Sequence, residues 1–348
     1  MVDRQPIPAG KVIGNYEIIF LVGRGGFGDV YKVKDKKTSQ MFALKTEEQK
    51  AKVKSLNIEI ECLQNLEGAC FPKLRAHGTD KKFKVEYLVM NIMGASVGLI
   101  RRQHDNILPI QSAFPIAIEM LRIIEKFHSF GYVHRDIKPS NFLTQQNPND
   151  HLVLIDFGLC KKHIDPDTNE PYPYKEDVKF TGTKKYSSPN AHRRVELGRV
   201  DDLFSWFYSF LEIANGNLPW NEVQDSDEML KMKTETIPIK DLVKELPNEI
   251  IQIHDYISSL QYADKPDYKH INDLMNAAMA ASNVDPDEFN WSAFYSAHAN
   301  LGDLSKSLPL SRTTSRKSFN LSEKKQKKEE SSGSYYSESH EGGCCNIQ

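Results

Sequence analysis

Apolar and polar positions change in short runs along the N-terminal part of the chain and recur at longer intervals beyond it. Residues 16–22 and 30–33 flank a glycine cluster, and residues 41–45 follow a polar turn at 36–39. Three strands of a small antiparallel sheet are predicted there. From 49 to 66, Leu56, Ile60 and Leu63 repeat at helical spacing until Gly68 and Pro72 interrupt the pattern, which predicts one helix lying against that sheet. Residues 83–90 return to strand. After Gly94 the period lengthens, and 112–130, 202–214, 248–260 and 267–281 each read as helix. From 303 to 343 Ser, Lys and Glu abound, aliphatic residues are few, and no apolar period survives, so a disordered tail is expected.

Length fits this division, because 348 residues is about twice the ~150-residue prior for one domain. With 39% hydrophobic and 26% charged residues, most of the chain is expected to fold. Lys plus Arg (45) nearly balances Asp plus Glu (47), which excludes a dedicated nucleic-acid binder relying on many phosphate contacts. The net charge of −2 is a cancellation: residues 304–328 carry +7 and residues 329–348 carry −4, leaving −5 for the body. Five cysteines, at 62, 70, 160, 344 and 345, show no metal-ligand spacing, so a reducing, cytoplasmic setting is expected for the three within the body. No run of signal-peptide length opens the chain, and no stretch approaches the ~18 apolar residues of a membrane span.

The chemistry concentrates in four segments. Gly23, Gly25 and Gly28, with Val30 two residues on, form a G-x-G-x-x-G-x-V run between two predicted strands. Glycines there let backbone amides approach an anion, although an ordinary glycine-rich turn has the same composition. A dinucleotide fingerprint would open a helix, whereas this run continues as strand. Lys45 ends the strand at 41–45. An ammonium so placed either snorkels to the surface or takes a carboxylate partner, for which Glu59 in the following helix is the candidate. The third segment, from His134 to Asn141, reads H-R-D-x-K-x-x-N, and Asp136, Lys138 and Asn141 are its functional side chains. Five fixed residues at that spacing make coincidence a poor explanation. The fourth, Asp156-Phe157-Gly158, follows a short apolar strand.

In this order and spacing the four segments resemble the protein kinases over roughly residues 14–282. The resemblance implies an α+β, bilobal fold, with a β-rich N-terminal lobe and hinge at 14–94 and an α-helical C-terminal lobe at 95–300. Residues 1–13 would be an N-terminal extension and 301–348 the tail. It further implies a non-specific serine/threonine protein kinase using ATP and Mg²⁺. Asp136 would accept the proton of the substrate hydroxyl, Lys138 would reach the transferred phosphoryl group, and Asn141 and Asp156 would hold the metal. Lys45, set by Glu59, would hold the α- and β-phosphates under the glycine loop. Met90 would stand at the gatekeeper position, with the backbone of Ile92 and Met93 facing adenine, though a core methionine fits position 90 equally well. The competing class is a catalytically silent, membrane-tethered scaffold on the same fold; the intact Lys45, Glu59, Asp136, Asn141 and Asp156 weigh against it.

Beyond Asp156 the usual Ala-Pro-Glu is missing, and Thr181-Gly182-Thr183-Lys184-Lys185-Tyr186 stands in its place. This stretch is similar to the casein kinase 1 group, with tau-tubulin kinase relatives, as are Arg199-Val200-Asp201-Asp202-Leu203 and Gly216-Asn217-Leu218-Pro219-Trp220. The resemblance implies protein substrates with acidic or phosphorylated flanks, bound by Lys185, Arg194 and Lys233; a solvated basic face is the bland alternative. Lys185 stands where the group has arginine, so recognition less strict about a primed phosphate is expected. The final Cys345-Asn346-Ile347-Gln348 fits a farnesyl-directing C-a-a-X box, with Cys344 beside it for a second lipid. That predicts peripheral association with the cytosolic face of a membrane through Cys344 and Cys345. A monomer is expected.

Overall fold

The computed structural model describes residues 5–26, 28–145 and 151–302, the last four by backbone alone. Cys344, Cys345 and the expected tail lie outside the described residues. The first part of the chain is an antiparallel sheet of β1 (Val12–Ile13), β2 (Tyr16–Gly25), β3 (Gly28–Asp35), β4 (Met41–Glu48), β5 (Leu74–Asp80) and β6 (Val85–Met90), ordered β1-β2-β3-β4-β6-β5. Residues 12–13, expected as part of an extension, pair with β2 and bury Ile13. One face of the sheet closes over Ile18, Tyr31, Val33, Leu44 and Val89.

The helix expected from residue 49 is α1 (Ser55–Asn65), six residues shorter at its start. Its first turn is set by Glu47 on β4, whose Oε1 accepts from Ser55 Oγ and from the Leu56 amide. A helix N-terminus has free N–H groups, and here the carboxylate comes from a neighbouring strand rather than from a local cap. Leu56 packs with Leu88 and Met90, while Cys62 and Leu63 enter the larger core.

That core belongs to the helical second part. Its elements are α2 (Val97–Gln103), α3 (Ile110–Ser129), β7 (Tyr132–Val133), β8 (Phe142–Thr144), β9 (Leu152–Leu154), β10 (Lys161–Lys162), α4 (Pro189–Arg193), α5 (Arg199–Asn215), α6 (Ser226–Lys231), α7 (Ile239–Leu242), α8 (Glu249–Ser259), α9 (Tyr268–Ala281) and α10 (Trp291–Gly302). The four long helices lie within three residues of their expected bounds. Helix α5 is buried on every side, from Arg199 to Ile213, and forms the axis on which α3 and α8 pack. Two short antiparallel pairs, β8 with β9 and β7 with β10, flank the segments of interest. The fold is thus the expected one, a β-rich N-terminal lobe on a helical C-terminal lobe.

Candidate active site

Lys45 reaches the site because β4 lies between β3 and β6 and its residues alternate across the sheet. Lys45 Nζ lies 2.5 Å from Glu59 Oε2 on α1 and 2.7 Å from Asp156 Oδ1. Burial disfavours the ammonium, but the two carboxylates outweigh burial and hold its pKa above the ordinary value. Burial pushes Glu59 up, and Lys45 overrides burial to hold Asp156 below the usual range. One cation therefore ties the sheet, α1 and the Asp156 turn together, and the snorkelling alternative for Lys45 is excluded.

Asp156 has left-handed backbone angles, φ 68° and ψ 64°. Phe157, next in sequence, is fully buried with its ring 5.3 Å from Phe127 and 5.4 Å from His134, which anchors the turn. Asn141 donates Nδ2–H to the Asp136 carbonyl at 2.9 Å, which leaves its amide oxygen as the acceptor. Asn141 and Asp156 together offer hard oxygen donors and no third protein ligand; among the described residues no group of three or more His, Cys, Asp or Glu is placed to hold a metal. This small donor set fits Mg²⁺, which binds through one or two protein oxygens and completes its shell with phosphate and water.

Asp136 is held from both sides. Its Oδ2 takes Lys138 Nζ at 2.6 Å and its Oδ1 takes the Thr183 hydroxyl at 2.7 Å, while Lys138 also donates to Thr183 Oγ1 at 3.0 Å. The loop carrying Asp136 is itself pinned by Asp202 at the start of α5. Asp202 Oδ2 accepts from the His134 amide and from His128 Nε2, and Oδ1 from the Arg135 amide, at 2.6, 2.8 and 2.8 Å. Although burial alone would raise it, these donors keep the Asp202 carboxyl below the usual range. Arg135 is left-handed at φ 65°, a costly conformation for a side chain with a Cβ, and the amide bonds to Asp202 hold it there.

The glycine run divides by physical role. A Cβ on Gly28 would lie 1.9 Å from the Thr46 carbonyl oxygen, so close β3–β4 approach demands glycine. Gly23 has no such neighbour within 4 Å, and Gly25 only the Gly28 carbonyl at 3.9 Å, so side-chain packing does not require glycine at either position. Val30 pairs with Gly23 and Lys45, between the glycine run and the lysine. Met90 is buried against Leu56 and Leu88, a core position that also ends β6 at the linker to the second lobe. Ile92 is exposed. Past Met93, the Gly94 amide donates to the Thr144 carbonyl at 2.7 Å and fixes that linker.

The three basic candidates for substrate binding are not brought together as an open patch. Lys185 pairs with Glu212 on α5, which also accepts from Arg101 Nη2 at 2.9 Å and from the Tyr186 hydroxyl at 2.6 Å. Lys233 is buried, and burial pulls its pKa down to about 6. Arg194 alone of the three is exposed. A pocket of about 300 Å³ is lined by Arg135, Lys161 and Lys179 and by Glu196, which accepts from Lys161 Nζ at 2.6 Å.

Thr183 and Asp202 were not singled out as functional from sequence, and only their places in the T-G-T and R-V-D-D-L segments marked them. Gly182 shows why T-G-T needs its middle residue: at φ 100°, a Cβ there would stand 2.5 Å from the Arg135 carbonyl oxygen.

Comparison with known proteins agrees with this geometry. Residues 16–297 match the family described as protein kinase domain. A probable serine/threonine-protein kinase of Dictyostelium discoideum is 34% identical over 272 residues, covering 77% of this chain and 54% of that protein. The chain thus spans about half the length of the curated relative it matches.

Proposed function

The chain belongs to the protein kinase family, whose members use ATP and Mg²⁺, and we propose that its reaction is transfer of the ATP γ-phosphoryl group to serine and threonine hydroxyls of proteins. The observation that carries this is the placing of two bonded groups side by side, Lys45 with Glu59 and Asp156, and Asp136 with Lys138 and Asn141, where the Ile155 amide donates to the Asn141 carbonyl at 3.0 Å. Asp136 orients the incoming hydroxyl and takes its proton as the oxygen–phosphorus bond forms. Lys138, already 2.6 Å from Asp136, places its charge beside the oxygens of the moving phosphoryl group. Lys45 would hold the nonreacting phosphates, and Asn141 and Asp156 would hold Mg²⁺, which would supply positive charge beside the phosphate oxygens. The test is label transfer from ATP to casein by the purified chain. Asp136→Asn is expected to lower the rate by about 10³-fold, within the range of a lost general base; no transfer by the unaltered protein under any metal condition would leave a non-catalytic scaffold.

We further propose that the chain lies in the casein kinase 1 group and favours acidic flanks. Supporting this are the T-G-T segment in place of Ala-Pro-Glu and Lys179 at a pocket whose other cations, Arg135 and Lys161, bond to the Leu159 carbonyl and to Glu196, with Arg194 exposed near it in sequence. Lys185 and Lys233 are not part of that reading, since their contacts are internal. In a peptide panel, sequences with acidic residues before the serine should show the lower KM, and Lys179→Ala should shrink the difference. Equal phosphorylation of neutral, basic and acidic peptides would sink the preference while leaving the reaction untouched.

A further inference from the structure

Lys233 lies in a π-helical turn, Met232–Thr236, that directly follows α6. Such turns place side chains out of the ordinary helical register. Its Nζ is 2.9 Å from the Lys184 carbonyl, 2.8 Å from the Ser187 carbonyl and 3.1 Å from His192 Nε2. It lies 5.0 and 5.2 Å from the ring centres of Tyr208 and Trp220. No carboxylate is among these contacts. A hydrocarbon side chain would fill the space between those rings without the cost of desolvating an amine. What only the amine supplies is its bonding to the 184–187 backbone and to His192 on α4, the helix that begins at Pro189 just past that segment.

The same stretch is held by a second donor, since Trp220 Nε1 bonds the Lys185 carbonyl at 2.8 Å. Immediately before it stands Thr183, whose hydroxyl joins Asp136 to Lys138. Thr183 also starts the turn, its carbonyl accepting from the amides of Tyr186 and Ser187. A shift of the Lys184 and Ser187 carbonyls therefore moves Thr183 relative to the residues that meet the substrate hydroxyl.

We propose that Lys233 is a positioning residue for protein-substrate binding: it clamps the 183–188 segment from behind and so sets the Thr183 hydroxyl against Asp136 and Lys138. This rests on the phosphotransfer reading above. It assigns Lys233 to the protein substrate and not to ATP, because none of its contacts reaches Lys45, Asp156 or the glycine run.

The test compares the unaltered chain with Lys233→Met, which keeps the length of the stem and removes the donors. KM for a serine peptide should rise about tenfold, the scale of one or two buried hydrogen bonds. KM for ATP, and the slow hydrolysis of ATP without peptide, should stay within twofold. Hydrogen exchange supplies an independent readout: the Tyr186 and Ser187 amides should exchange faster in the variant while α5 keeps its protection. Trp220→Phe, which keeps an aromatic ring and loses only the bond to Lys185, should shift the same amides in the same direction. Unchanged peptide KM, or ATP hydrolysis falling in step with peptide phosphorylation, would overturn the proposal, as would unchanged exchange at 186 and 187. If the unaltered chain transfers no phosphate, the function reading fails, and the exchange comparison still decides whether Lys233 holds the segment.

Discussion

Burial fixes the charge of Lys233 as well as its place. With its pKa near 6 and that of His192 near 4, the pair at neutral pH is an amine and a neutral imidazole. The amine donates to the Lys184 and Ser187 carbonyls and accepts from His192 Nε2–H, which leaves His192 Nδ1 to accept from the Ser226 hydroxyl, 2.9 Å away. The consequence for stability has a definite sign. Between about 6 and the ordinary 10.5, the unfolded chain holds a proton on Lys233 that the folded chain does not, so stability rises with pH across that window and is flat below it. Melting temperatures of the unaltered chain and Lys233→Met, measured from pH 6 to 9, should diverge in favour of the unaltered chain as pH rises. A constant difference would show that the amine keeps its proton. This residue also shows what one dimension hides: beside Lys231 it reads as surface charge, and only the Tyr208 and Trp220 rings, brought from α5 and from the loop beyond it, make it internal. Asp136 was legible for the opposite reason, because it stands inside a short run whose members Lys138 and Asn141 are also its neighbours in the site.

At the scale of elements, the catalytic loop is shaped less by its own residues than by α5. Asp202 has its two carboxylate oxygens on the amides of His134 and Arg135 and on His128, all from other elements. Removing that carboxylate strands two amides and an imidazole N–H, a loss of a few kcal/mol by the usual cost of unsatisfied buried donors. Asp202→Ala is expected to lower kcat at least tenfold and to lower the melting temperature. A kcat within twofold of the unaltered chain would deny Asp202 its special role. In sequence, a charged pair opening an apolar helix looks like a capping signal, and Asp201 indeed is one, its Oδ2 accepting from the Gly198 amide. The late start of α1 has the same origin: Glu47 belongs to β4 and stands eight residues before Ser55, so nothing in sequence marks it as that helix's terminus, yet folding of β4 puts it there. Elements fixed by their own periodicity, such as α3 and α9, were read closely; those fixed by a partner's side chain were not.

Across the whole molecule, a single core runs from Cys62 and Leu63 of α1 through Phe157 to Met279 at the end of α9. The last described helix closes on the linker between the lobes: the Tyr295 ring lies 3.1 Å from where a Cβ of Gly94 would sit, and Trp291 stacks on His151 with ring centres 4.6 Å apart. The site is therefore assembled on the helical lower body, and of the ten described non-glycine residues with positive φ, Arg135 and Asp156 lie at the chemistry. Arg135 and Asp156 both hold left-handed angles that a Cβ disfavours by about 1–2 kcal/mol per residue. Asp156→Gly and Asp156→Ala both lose the carboxylate and differ only in that backbone cost, so the glycine variant should melt about 2 °C higher than the alanine variant. Matching melting points would mean that the turn is unstrained. If the difference appears, the Asp156 turn is held against its backbone preference by the bond of its carboxylate to Lys45. A change that loosens that one pair would then release the turn and the site together, so the lysine acts as a latch on the geometry as well as a group of the site.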